Sequence, residues 1–163
     1  MVQHFDLGRR FHQRGAATRG LLTFGLPDHF VKVNWSGRNL KRDVLLNFSR
    51  LDGYDSVSDS GLTGYTFSCT SDAFQQAVSA LDESLPAGQV HDMADYFAAS
   101  GDELKNLRSL AYCMHRCVRN ERAASSAYDE LEADLAHALA LSVCRTNCAD
   151  SVSNLPQRQR AYP

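Results

Sequence analysis

The stretch "VNWSGRNLKRDVLLNFSRLDGYDSVSDSGLTGYTFSCTSDAFQQAV", residues 33–78, decides the fold because a series of short strand patterns runs directly into a helix pattern. Alternation places apolar side chains on one face of "DVLLNF" (Val44, Leu46 and Phe48) and of "GYTFSC" (Tyr65 and Phe67). Glycines separate these runs at short intervals, as turns between strands require. With "VQHFDL" and "LLTFGLP" nearer the start, the pattern predicts an antiparallel sandwich or barrel over about residues 1–69.

The residues from about 71 to 147 are predicted to be helical. Ser71 is a suitable N-cap for "DAFQQAVSALDESL", and Ser100 with Glu103 forms a capping box before "LKNLRSLAYCMHRCV". A third helix pattern, "AYDELEADLAHALALSVC", carries a narrow apolar stripe that is rich in alanine. The chain is therefore predicted to be an α+β protein, with strands first and helices second.

Composition excludes several classes of function. The chain has 163 residues, 44% of them hydrophobic and 22% charged, and its net charge is -2. These values are typical of one soluble globular domain and do not predict a basic surface for nucleic acid. No apolar run approaches the roughly 20 residues of a membrane helix, so we expect a cytoplasmic protein without membrane contact.

The sequence carries no recognisable catalytic motif. A phosphate-binding glycine loop, a nucleophile elbow and a two-histidine zinc helix are all missing from it. His4 and His12 share a predicted strand face and could begin a metal site, but no third ligand follows in a matching strand. We therefore expect no enzyme activity, no catalytic residue, no metal and no cofactor.

Two pairs of cysteines raise the question of a zinc site. Cys113 and Cys117 lie one helical turn apart, and Cys144 and Cys148 repeat that spacing. Four thiolates could hold zinc tetrahedrally. In two antiparallel helices joined near Asn120, however, Cys117 lies beside the turn and Cys144 about 18 residues beyond it, roughly 27 Å away. We therefore expect free thiols that behave as small apolar side chains.

The predicted strands carry a set of aromatic side chains large enough to enclose a ligand. These are Phe24, Trp35, Phe48, Tyr65 and Phe67. A short barrel cannot bury every large ring without leaving a cavity, and a small barrel can hold one small ligand among such rings. The alternative for each ring is ordinary core packing. The hypothesis predicts that Tyr65→Phe weakens ligand binding without unfolding the chain.

The order of landmarks in residues 33–78 resembles the sensor domains of AraC-family transcription regulators. In those domains a strand ends near a tryptophan or glycine turn, a second strand runs into a phenylalanine, and an aromatic strand leads straight into a helix. The matching landmarks here are Trp35, Gly37, Phe48, Gly61, Tyr65, Phe67 and the helix from Ser71. The resemblance covers about residues 1–145 and implies a cupin-like antiparallel β half-barrel, followed by a helical dimerisation segment.

The resemblance also implies a division of the chain and a set of partners. Residues 1–147 would be the sensor and dimerisation domain, which binds a small-molecule effector, and residues 148–163 a linker stub. The linker includes "LPQRQRAYP" and would lead to a helix-turn-helix domain that this chain lacks, so that DNA is bound only through that domain. Two arginines are too few for independent DNA affinity, because each neutralised phosphate adds only one counterion-release term.

The third predicted helix is the expected site of a homodimer. Its apolar stripe consists of Tyr128, Leu131, Leu135, Ala138 and Leu139. The alternative is that the stripe packs on its own domain. A two-fold contact between two such helices would hold two DNA-binding domains at a fixed spacing, and Leu135→Asp would then separate the subunits. Two other functions stay open: a stand-alone cupin-like metal enzyme, and a ligand-free interaction protein that acts through its helices.

Overall fold

The structure, a computed structural model, describes residues 1–29, 32–40, 44–81, 94–119 and 125–153, with the backbone alone for residue 125 and residues 147–153. Its strands are β1 (Val2–Leu7), β2 (Phe11–Gly15), β3 (Leu21–Pro27), β4 (Val33–Trp35), β5 (Arg38–Asn39), β6 (Leu45–Asn47), β7 (Tyr54–Ser58), β8 (Leu62–Thr70) and β9 (Tyr96–Phe97). Its helices are α1 (Ser71–Leu81), α2 (Gly101–Arg119) and α3 (Ser125–Ser153). The predicted α+β class is confirmed. The short strand β9 lies among the helices in chain order and was not predicted.

The strands form two antiparallel sheets. Sheet A has the order β1-β8-β3-β6-β9, and sheet B has the order β2-β7-β4-β5. Neither sheet closes on itself within the described part of the chain. Instead, Val33 and Trp35 of sheet B pack in one hydrophobic cluster with Leu46 and Leu62 of sheet A. The two sheets are therefore layered as in a sandwich.

Sheet A is buried on both of its faces. In β8, Tyr65 and Phe67 belong to the larger hydrophobic cluster, together with residues of all three helices. Their neighbour Leu62 belongs instead to the cluster between the sheets. Because successive side chains of a strand point to opposite faces, β8 contributes to two separate cores. The helices cover the outer face of sheet A, and sheet B covers its inner face.

The start of α2 is capped as its sequence predicts. The backbone N–H of Ser100 donates to Glu103 Oε2 at 2.8 Å, and the backbone N–H of Glu103 donates to Ser100 Oγ at 3.2 Å. This reciprocal pair is a capping box and satisfies two N–H groups that the helix cannot pair itself. The prediction made from these two residues is confirmed.

The cap of α1 differs from the prediction. Thr70 Oγ1 accepts the backbone N–H of Ala73 at 3.2 Å, whereas Ser71 is already helical and its Oγ is buried without a hydrogen-bond partner among the described residues. Ser71 as N-cap was therefore wrong by one residue. Both residues have hydroxyl side chains, so the sequence alone does not decide between them.

Helices α2 and α3 are antiparallel. Arg145 near the end of α3 donates to Glu103 at the start of α2, with Nη1 2.8 Å from Oε1. Cys144 therefore lies beside the start of α2, while Cys113 lies about nine residues, or roughly 14 Å, further along that helix. In the described ranges, no three or more His, Cys, Asp or Glu side chains are placed to hold a metal ion.

The last helix extends further than the predicted domain boundary. Helix α3 continues to Ser153, so the linker expected from residue 148 would begin inside it. The segment "LPQRQRAYP", residues 155–163, lies outside the described residues. Across the described ranges, no helix combines the length and the apolar character that a membrane span requires.

Candidate functional site: a cavity between the two sheets

A cavity of about 440 Å³ lies between sheet A and sheet B. Its apolar lining comes from Phe5, Leu7, Leu21, Val33, Trp35, Leu46, Phe48, Tyr54 and Leu62. Its polar lining includes Gln3, Gln13, Thr18, Thr23, Ser56, Thr66 and Ser68. A mostly apolar cavity of this volume with a few polar groups is the usual form of a small-molecule site.

Three aromatic rings form one wall of the cavity. The ring of Trp35 stacks on that of Tyr54, with centroids 5.4 Å apart and an interplanar angle of 3°. Phe48 is nearly perpendicular to both rings, at 4.8 Å from Trp35 and 4.9 Å from Tyr54. These are the offset-stacked and edge-to-face arrangements that aromatic pairs favour. The wall, defined here as Trp35, Phe48 and Tyr54, is therefore a mutually supported unit.

Two glycines make room for this wall. A Cβ at Gly25 would lie 2.5 Å from Phe48 Cε2, and a Cβ at Gly15 would lie 2.8 Å from the hydroxyl oxygen of Tyr54. Real Cβ atoms do not approach other atoms so closely, so the wall has this geometry only because both positions lack a side chain.

The polar groups of the cavity are unequally satisfied. Thr23 Oγ1 and Ser68 Oγ lie 2.9 Å apart and form a hydrogen bond across β3 and β8. Trp35 is only 1% exposed, yet its Nε1 has no hydrogen-bond partner in the part of the chain that the structure describes. Burial raises the pKa of the Tyr54 hydroxyl above its ordinary value of 10.0.

The five rings predicted to bind a ligand are divided between the two faces of sheet A. Trp35 and Phe48 line the cavity. Phe24, Tyr65 and Phe67 lie on the opposite face, in the cluster that packs against the helices. These three rings therefore do not line the cavity between the sheets, and their part in ligand binding stays a prediction. Strands that are buried on both faces carry apolar side chains in both directions, so alternation did not reveal which face holds the cavity.

Tyr54 is not among the rings predicted from the sequence, because its segment "DGYDSVSD" is rich in the turn residues and carboxylates that are typical of loops. The structure places β7 there, and Ser56 and Ser58 are buried on the same face as Tyr54. Asp55 faces the other way, where it accepts from Arg14 Nε at 2.5 Å and lies 2.9 Å from His12 Nε2. The alternation of Tyr54 with Ser56 and Ser58 was a signal for a strand with one buried face. Because serine is polar, this face does not look buried in the sequence.

The residues predicted to form a dimer pack on their own chain. Leu135, Ala138 and Leu139 are buried in the cluster shared with sheet A, and Tyr128 and Leu131 pack against the same cluster. This is the alternative that the sequence left open. A homodimer remains a prediction, but Leu135, Ala138 and Leu139 are buried and offer no free surface for it.

The two histidines expected to share a strand face are separated. His4 belongs to β1 of sheet A, where its ring contacts Tyr65 and His115 at centroid distances of 5.0 and 5.9 Å. His12 belongs to β2 of sheet B and pairs with Asp55. The turn between β1 and β2 carries the chain from one sheet to the other. The two rings therefore do not share one strand face, although the sequence predicts that they do.

Comparison of the sequence with protein-family models and with curated proteins finds no match.

Proposed function

We propose that this chain is a small-molecule-sensing domain that binds its effector in the cavity between the two sheets. The observation that carries this proposal is the cavity of about 440 Å³, which is lined by the aromatic wall and by uncharged polar side chains such as Thr66 and Ser68. A cavity of this volume that combines apolar walls with a small number of polar groups is the usual form of a small-molecule site.

The output of the sensor is proposed to be that of an AraC-type regulator. The order of strands followed by helices supports this, as do the landmarks Trp35, Phe48 and the strand that leads directly into α1. In this proposal the two sheets form a cupin-like half-barrel, and DNA is bound by a domain outside these residues. Sheet A forms one side of the cavity and also packs on the helices, which gives effector binding a physical route to the helical part.

Thermal unfolding in the presence of a chemically diverse panel of small molecules tests the proposal. A ligand that binds only the native state must raise the melting temperature as its concentration rises. Trp35 is the single tryptophan of the chain, so its fluorescence reports directly on the cavity. We expect at least one compound to raise the melting temperature and change this fluorescence together.

A pair of variants tests where the compound binds. Thr66→Phe places a ring in the cavity, and Val57→Phe places one on the other face of β7, away from the cavity. We expect Thr66→Phe to abolish the effect of the compound and Val57→Phe to retain it. A panel without any stabilising compound, or a compound unaffected by Thr66→Phe in a folded protein, would contradict the proposal.

A further inference from the structure

Two cysteines of α2 lie one helical turn apart on the outward side of the helix. Leu107, Ala111 and Met114 form the inward side of α2 and are 0% exposed. Cys113 is exposed and Cys117 is half-buried, and both thiols are free. The two cysteines also line an open cleft along the surface of α2, so an ion or molecule in solution can reach them. Cys113 is therefore not the small apolar core side chain that the sequence predicts.

The side chains next to these cysteines are directed at other partners. Arg116 donates from Nη1 to the Tyr112 hydroxyl at 3.5 Å, and its guanidinium lies 5.7 Å from the centroid of the Tyr112 ring. The ring of His115 lies 5.9 Å from the ring of His4 and 6.2 Å from that of Tyr65, centroid to centroid, both of them in sheet A. His115 is therefore turned towards sheet A and does not join the two thiols.

The spacing of the two thiols suits a bridging ion better than a disulfide. Side chains four residues apart on a helix have Cβ atoms about 5 to 6 Å apart. A disulfide requires about 3.5 to 4.5 Å between its Cβ atoms, so forming one would distort α2. An ion between the sulfurs adds two metal–sulfur bonds of about 2.3 Å each. This longer bridge spans Cys113 and Cys117 while α2 keeps its regular geometry.

The number of available ligands determines which ion the pair can hold. Structural zinc is held by four ligands. In the part of the chain that the structure describes, no three His, Cys, Asp or Glu side chains are placed to hold one ion. A soft ion with a filled d shell, such as Cu(I), needs only two thiolates in a linear arrangement, and thiolate is the type of ligand that such ions select. The pair therefore fits Cu(I) better than zinc.

We propose that Cys113 and Cys117 form a two-coordinate site for a soft, thiol-binding ion of the Cu(I) type on the outward side of α2. Each thiol loses its proton when the ion binds, and the oxidation states of sulfur and copper do not change. Cys144 and Cys148 repeat the spacing on α3, but Cys144 packs against the larger hydrophobic cluster. The ion site is separate from the cavity between the sheets and independent of the function proposed for that cavity.

Competition for Cu(I) tests the site. The reduced full chain is titrated with Cu(I) in the absence of oxygen and in the presence of bicinchoninate, whose violet Cu(I) complex reports the copper that the protein leaves free. We expect the chain to withdraw one Cu(I) ion from this complex, and we expect Zn(II) not to displace that ion. X-ray absorption at the copper edge should show two sulfur neighbours. The far-UV circular dichroism should not change, because the ion spans the pair without distorting α2.

Serine variants locate the bound ion. Cys113→Ser and Cys117→Ser each leave one thiolate, so each variant should lose the ability to compete with bicinchoninate. Cys144→Ser is the matched control in α3 and should retain it. The inference is overturned by uptake that survives in either α2 variant, by loss of uptake in Cys144→Ser, or by a wild type that withdraws no Cu(I).

Alkylation provides a second readout that needs no variant. Iodoacetamide is added to the wild type with and without Cu(I), and the modified cysteines are identified by peptide mass spectrometry. Cu(I) should protect Cys113 and Cys117 together and leave the reactivity of Cys69 unchanged. Protection of only one of the two α2 cysteines, or of neither, would contradict a shared ion.

Discussion

The ring of Phe48 packs directly against Gly25, and a side chain at position 25 would overlap with this ring. The two residues belong to neighbouring segments of sheet A, where Gly25 pairs with Leu46, and Phe48 follows the end of β6. The contact sets the position of one ring of the cavity wall.

Gly25→Ala should destabilise the protein by about 1 to 3 kcal/mol, because the new methyl group forces the ring of Phe48 out of place. The measurement is urea unfolding followed by circular dichroism. Gly8→Ala is the matched control, because a Cβ there meets nothing within 4 Å, and it should change the stability by less than about 0.5 kcal/mol. Equal effects of the two substitutions would show that Phe48 is not held against Gly25.

Leu135→Asp should unfold the chain rather than separate a dimer. Leu135 is 4% exposed in the core between α3 and sheet A, and an unpaired charge there should cost about 3 to 5 kcal/mol. Ala133 is exposed on the same helix, so Ala133→Asp should remain folded. Thermal melts of both variants provide the measurement. A folded, fully stable Leu135→Asp protein would contradict the position of α3.

The two hydroxyl residues at the start of α1 should respond differently to substitution by alanine. Thr70→Ala removes the cap of α1 and should cost about 1 kcal/mol. Ser71→Ala removes a buried hydroxyl without a described partner, so it should be neutral or stabilising. Unfolding free energies of the two variants give the comparison. A larger loss for Ser71→Ala would restore Ser71 as the cap.

Glu103 should make the stability depend on acidic pH. Burial opposes its ionisation, but hydrogen bonds from Ser100 and Arg145 outweigh burial and lower the pKa of Glu103 below its ordinary value of 4.5. A group with a lowered pKa in the folded state stabilises the protein above its unfolded pKa. This stabilisation is lost as the pH falls through the folded pKa. The wild type should therefore lose stability below about pH 4.5 from this group.

Glu103→Gln isolates this contribution, because glutamine can keep the capping box but has no charge for Arg145. Unfolding free energies at about pH 7 and about pH 3 should fall less in the variant than in the wild type. An identical fall in both proteins would show that Glu103 is not the group responsible.

The parts of the fold that depend on local sequence could be predicted, and those that depend on partners in space could not. The capping box of Ser100 and Glu103 spans one helical turn, so its signal is complete within four residues. The apolar stripe that contains Leu135 could also be recognised. The surface against which this stripe packs could not be predicted, because packing on sheet A and packing on a second copy of α3 both require the same apolar side chains.

The cavity was only partly predictable for the same reason. Trp35 and Phe48 were found because large rings are conspicuous in strands. Whether Phe67 faces the same side as Phe48 depends on the order of strands in sheet A, which no short segment encodes. Tyr54 was missed because its strand buries small polar residues, so its inner face does not look apolar in the sequence.

Sheet A has one hydrophobic core on each of its faces, one shared with sheet B and one shared with the helices. A mutation in a central strand of sheet A should therefore rarely affect only one of these cores. Thr66 lines the cavity, and the adjacent Tyr65 and Phe67 pack towards the helices. The backbone of β8 is therefore shared by the cavity and by the core that packs against the helices. Substitutions on opposite sides of β8 should therefore be non-additive in double-mutant cycles, although their side chains never touch. Strand β8 would then couple the stability of the helix-facing core to the binding properties of the cavity.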